Sequence, residues 1–140
     1  MLKTERELKL EWLSRGKPLR LRLVSLRAVR LERLSRADYG GISYSGERQS
    51  GSGGNSTERK IAALTETNAE IAEIEKELEK IEAEICSAID KVHSPLCQAY
   101  LRMRFLAYKS EYQIARETNY TYTYINGTVR KKALDLVNIP

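Results

Sequence analysis

The sequence is poor in the residues that build a dry, compact core. Phe and Trp occur once each and Pro three times, against eight Tyr. A large aromatic core is thereby excluded, and most aromatic surface carries a hydroxyl suited to wet interfaces. Few prolines and no long β-branched run point away from β-sheet and toward an all-α chain. Two cysteines, Cys86 and Cys97, have no second Cys or His at zinc-ligand spacing. They read as reduced structural thiols, and the expected setting is the cytoplasm. His93 is the single histidine, and no second ligand or base stands near it in sequence, so no metal is expected there. No apolar run reaches membrane-spanning length and no secretory signal opens the chain, so no membrane partner is expected. Carboxylates are paired only on open helix faces, where nothing desolvates them. Neither an enzyme nor a cofactor is therefore expected.

Charge is present in blocks. Residues 1–38 hold eleven Lys/Arg against five Asp/Glu, residues 57–93 hold five against ten, and residues 94–140 hold seven against three. Oppositely charged elements of this kind pair with each other, and a basic C-terminal end suits an anionic polymer.

Residues 3–15 predict a short helix with Leu8, Trp12 and Leu13 inward, interrupted at Gly16-Lys17-Pro18. A second helix, about 18–37, carries Leu19, Leu21, Leu23, Val24, Leu26, Val29, Leu31 and Leu34 over more than half its circumference, with arginines on the rest. A helix that apolar requires partners on more than one side. Residues 39–56 are dominated by Gly and Ser and predict a flexible loop. From Thr57 to about Val92 there is neither Pro nor Gly. Leu64, Ile71, Leu78, Ile85 and Val92 recur every seven residues, with Ile74, Ile81 and Ala88 three further on and Thr67 as the weak member. This is a coiled-coil seam sustained over about four heptads. Its nearest partner is the Arg/Leu helix, giving a long antiparallel hairpin in a region 1–93, with Arg set against Glu.

Residues 94–140 read as a separate tri-helical unit. Ser94 and Pro95 start a helix to about residue 107, with Leu96, Tyr100, Met103, Phe105 and Leu106 near one face. Ser110 and Gln113 form a capping box for the next helix. Asn119-Tyr120 makes a turn, Thr121 caps again, and the last helix points Ile125, Val129, Ala133 and Leu136 inward. Such a unit is a helix-turn-helix, whose last helix leaves its outer face free for the major groove of double-stranded DNA. The candidate DNA-binding residues are Thr121, Tyr122, Thr123, Asn126, Arg130, Lys131 and Lys132, with Arg102 and Arg104 as candidate phosphate contacts. Asn reads adenine and Arg guanine through paired hydrogen bonds, and the lysines supply salt-dependent phosphate affinity. Of Tyr120, Tyr122 and Tyr124, the last has the spacing of a packing residue.

The stretch from Ser94 to Leu136 resembles the sigma-factor region 4 type helix-turn-helix of small phage and prophage transcription regulators. The matching segments are Leu101-Arg102-Met103-Arg104-Phe105-Leu106, Ser110-Glu111-Tyr112-Gln113-Ile114-Ala115, Tyr120-Thr121 and Arg130-Lys131-Lys132-Ala133-Leu134. The layout of a variable N-terminal part, a Gly/Ser loop and a long acidic helix is also similar to activators of late or packaging genes of the ArpU and RinA kind. The resemblance implies a DNA-binding regulator acting as a homo-oligomer, a dimer first of all, with RNA polymerase as a further partner. Two departures stand out: Gly127 lies inside the last helix, and the span from Thr121 to Ala133 is one residue longer than the family pattern. Alternative readings are a small terminase-like DNA-packaging subunit and an adaptor that docks another protein.

Overall fold

The computed structural model describes the backbone of residues 2–42 and 52–140 and the side chains of 2–36 and 56–140. Every regular element among the described residues is helical, so the chain is all-α. The elements are α1 (Glu5–Leu13), α2 (Gly16–Ile42), α3 (Ser52–Asp90), α4 (Pro95–Leu101), α5 (Glu111–Thr118) and α6 (Arg130–Leu136). Two π-helical segments, Arg102–Leu106 and Tyr124–Val129, run directly into the end of α4 and the start of α6. The chain divides into two compact units, Arg20–Glu77 and the pair Met1–Leu19 with Leu78–Pro140. The division expected at residue 93 falls inside the second of these. Residues 43–51, the middle of the expected Gly/Ser loop, lie outside the described residues, while its edges at 39–42 and 52–56 are helical. Extending an established helix adds one hydrogen bond for each residue fixed, which offsets the cost of glycine there.

The Arg20–Glu77 unit is the antiparallel hairpin. Leu23, Ile71 and Ile74 are buried, and Leu26 and Leu64 are half-buried. Thr67, the weak seam position, is buried as a satisfied polar layer. Its hydroxyl donates to the Ala63 carbonyl at 2.9 Å and accepts from the Arg33 guanidinium, which also reaches the Ala63 carbonyl at 3.1 Å. A buried polar layer fixes which residues face each other across a seam at some cost in stability. Arg27 meets Glu75 at 3.1 Å and Arg22 meets Glu70 at 3.9 Å, as the charge blocks led us to expect. Both pairs are exposed and contribute at most about 1 kcal/mol each. Much of the apolar surface of α2 stays uncovered: Leu21, Val24, Val29, Leu31 and Leu34 are exposed.

In the other unit the final turns of α3 form the floor of the core. Ile85, Ile89, Leu101, Ile114, Ile125 and Val137 are fully buried around Leu13 and Tyr100. Thr4 caps α1 in a capping box with Glu7. The inward residues of α1 are Lys9, Leu10 and Leu13, whereas Leu8, expected inside, is exposed. Lys9 takes the inner position because its stem packs while its ammonium reaches the Asp135 carbonyl at 3.3 Å and Glu5 at 3.3 Å. Arg6 clamps the Asp135 carboxylate with two bonds of 2.7 and 2.8 Å, tying α1 to α6. Pro18 does not break α2, since it stands in the first turn, where no amide donor is required. The interruption falls at Ser14-Arg15 instead.

The glycines at 16 and 127 do different work. A Cβ at Gly16 would overlap the Tyr108 hydroxyl and crowd Leu78 at 3.3 Å. Tyr108 cannot easily yield, because its hydroxyl donates to Glu82 at 2.7 Å and its backbone holds a left-handed conformation at φ 57°. A Cβ at Gly127 would meet nothing within 4 Å. Gly16→Ala is therefore expected to lower stability in urea by about 1–3 kcal/mol, with part of the loss recovered when Tyr108→Phe removes the overlapping oxygen. Gly127→Ala is expected to raise stability by up to about 1 kcal/mol in the same measurement.

Candidate nucleic-acid interface

Local sequence builds the turn ahead of the last helix. Asn119 ends α5 at φ 62°, a conformation that asparagine tolerates better than most residues. The Tyr120 amide then returns to the Ala115 carbonyl at 3.1 Å. Thr121 starts the last helix by accepting the Tyr124 amide on its hydroxyl at 3.2 Å. On α5, Ser110 and Gln113 form the expected capping box.

The last helix, residues 122–136, is seated by Ile125, Val129 and Ala133, as its spacing predicts. Leu136 breaks the prediction, being exposed, while Leu134 and Val137 are buried in its place. The π segment is the reason. The Arg130 amide donates to the Ile125 carbonyl, five residues back rather than four. Such a turn holds one extra residue and rotates everything after it.

Thr121, Thr123, Asn126, Lys131 and Lys132 are all exposed on this helix. Tyr122 is half-buried and stacks on Tyr112 of α5, ring centroids 4.0 Å apart and planes within 5°. Burial raises its hydroxyl pKa above the ordinary value, and neighbouring Tyr112 adds to the rise. Tyr124, expected to be the packing tyrosine, is exposed and leans on Tyr120 at 5.3 Å. Tyr122 stands three places before buried Ile125, on the same side of the helix, and the stack on Tyr112 holds it there ahead of the π segment.

The arginines divide. Arg102 is exposed and pairs with Asp90 at 3.1 Å. Arg104 and Arg130 are drawn together at Glu111, at 3.8 and 3.9 Å. Glu111 is 12% exposed, and the Tyr100 hydroxyl donates to the same carboxylate oxygen at 3.3 Å. Its other oxygen is buried without a hydrogen-bond partner among the described residues. Glu111 thus holds two arginines at the junction of the first π segment, α5 and α6. Sequence reasoning missed it, although an acidic residue just after the Ser110 cap, seven places from Arg104, was visible. Tyr112 and Arg116, both exposed on α5, were missed as well.

Among the described residues no group of three or more His, Cys, Asp or Glu is arranged to hold a metal ion. No helix among them is long and apolar enough to cross a membrane. No protein-family model matches the chain, and neither a curated protein nor a solved structure matches it.

The Glu111 cluster has a readable pH signature. Burial, reinforced by the Glu111 carboxylate, pushes the Tyr100 hydroxyl up to about 12, against partial relief from Arg104 and Arg130. A phenol with a raised folded-state pKa is held neutral by the fold. Its contribution is complete below the unfolded value near 10 and is lost as pH rises toward the folded value. Urea stability should therefore fall between about pH 10 and the value of about 12. Tyr100→Phe should flatten that part of the profile, and an unchanged slope would show that Tyr100 is not the group responsible.

Proposed function

We propose that this chain is a sequence-specific, double-stranded-DNA-binding transcription regulator of phage or prophage type, working as a dimer on late or packaging genes. One observation carries the reading. The last helix is anchored on one side by fully buried apolar residues and offers Thr121, Thr123, Asn126, Lys131 and Lys132 on the other. From Asn119 to Leu134 there is no Asp or Glu. A rigid helix with an uncovered, acid-free, donor-rich side has the chemistry of groove recognition: lysines for phosphates and an amide side chain for a base edge. Arg130 and Arg104, tethered near Glu111, fit a positioning role better than a base-reading one. Arg102, paired with Asp90, is a weaker phosphate candidate than Lys131. RNA polymerase belongs to the same proposal as a partner of the bound regulator, and the cytoplasm as its place of action.

Fluorescence anisotropy with duplex DNA tests this. Lys131→Ala combined with Lys132→Ala should weaken binding by about tenfold at low salt and lower the salt slope by about two, equally for every sequence. Asn126→Ala should instead erode the preference among sequences by about 1–3 kcal/mol. Duplex binding that survives all three substitutions unchanged would remove the last helix from the interface.

A further inference from the structure

Helix α2 carries two apolar rows. One, through Leu23 and Leu26, turns toward α3. The other runs through Leu21, Val24, Ala28 and Leu31, and its large members are 62%, 53% and 69% exposed. Leu34, at a flanking position, borders it and is exposed too. Single exposed leucines are ordinary, but a continuous row marks a surface that something covers. The steps of three, four and three residues are those of a coiled-coil seam.

We infer that this row is the interface between two copies of the chain, α2 against α2 in parallel. The flanking charges select that occupant. With Leu21 and Ala28 as a positions and Val24 and Leu31 as d positions, Arg27 is a g position and Glu32 the e position of the next heptad. In a parallel pair g meets the following e of the other helix, so Arg27 faces Glu32 of the partner subunit, twice by symmetry. An antiparallel pair would instead set Arg27 against Arg27 of the partner subunit. Arg27 and Glu32 keep spare capacity for this: each is bound within its own chain through a single contact, to Glu75 and Arg36. Small Ala28 lets the two backbones approach at the centre of the seam. The seam is only about three turns long, so a reversible dimer with a dissociation constant on the order of micromolar is expected. This inference rests on the two-copy part of the proposed function and is independent of the DNA-binding part.

The test is solution mass by sedimentation equilibrium, without DNA, on the full chain at tens of micromolar. The wild type should weigh two chains. Leu21→Glu with Leu31→Glu should weigh one, with unchanged far-ultraviolet circular dichroism because both positions are exposed. Should that pair misfold, Ala28→Glu alone supplies the same readout at a smaller exposed site. A one-chain wild type overturns the inference together with the two-copy reading. A two-chain wild type whose variants remain two-chain overturns the inference and leaves that reading standing. Orientation is read by disulfide trapping in a Cys86→Ser background. Leu31→Cys should cross-link with itself, and a cross-link formed only between Leu21→Cys and Leu31→Cys chains would overturn the parallel register.

Discussion

The short helices of residues 94–140 pack on a core that they share with elements earlier in the chain. A unit as small as residues 94–140 buries a smaller fraction of its surface than a longer chain does, so each added neighbour counts. Those neighbours are Ile85, Ala88 and Ile89 in the last turns of α3, Val92 just beyond it, and Leu13 of α1. Leu101, Ile114 and Ile125 reach full burial because those neighbours are present. The long acidic helix is therefore part of the core under the C-terminal helices as well as part of the hairpin. The Arg6–Asp135 clamp and the Lys9 contact do the same on the far side, fastening α1 to α6. Asp135 is held below the usual carboxylate range by that guanidinium, so the clamp is present at neutral pH.

The sequence was most legible where one period governs. The seven-residue recurrence from Leu64 to Val92 located the seam, and the Ser110–Gln113 box located the start of α5. Local rules of this kind act within a few residues and leave little to tertiary context. The expectations that failed involve a choice of face. Leu8 and Lys9 exchange places because a lysine stem packs as well as a leucine when its ammonium finds a carbonyl. Tyr122 rather than Tyr124 turns inward because it stacks on Tyr112, and Leu136 turns outward because the helix changes phase inside Tyr124–Val129. A pattern read at constant 3.6-residue spacing cannot anticipate that change of phase.

Both π segments sit beside the same cluster. Arg102–Leu106 carries Arg104, and Tyr124–Val129 leads directly into Arg130, and the two arginines meet Glu111. Widened turns are often retained where a side chain must be re-aimed. Here they aim one cation from each side at a mostly buried carboxylate that also receives the Tyr100 hydroxyl. Glu111 of α5 thus links Tyr100 of α4, Arg104 of the first π segment and Arg130 of α6 through one carboxylate oxygen.

That arrangement bears on how charge is divided along Arg130-Lys131-Lys132. Three consecutive cations on a helix point in three directions about 100° apart. The fold directs the first toward Glu111 and leaves the other two exposed. An arginine suits the first place, since its planar group can serve the carboxylate and still present donors outward. Lysines suit the outer places, where a mobile, strongly hydrated point charge stays in water without a fixed geometry. The order of the three residues thus separates two settings: one cation tied into the fold at Glu111, and two left to solvent.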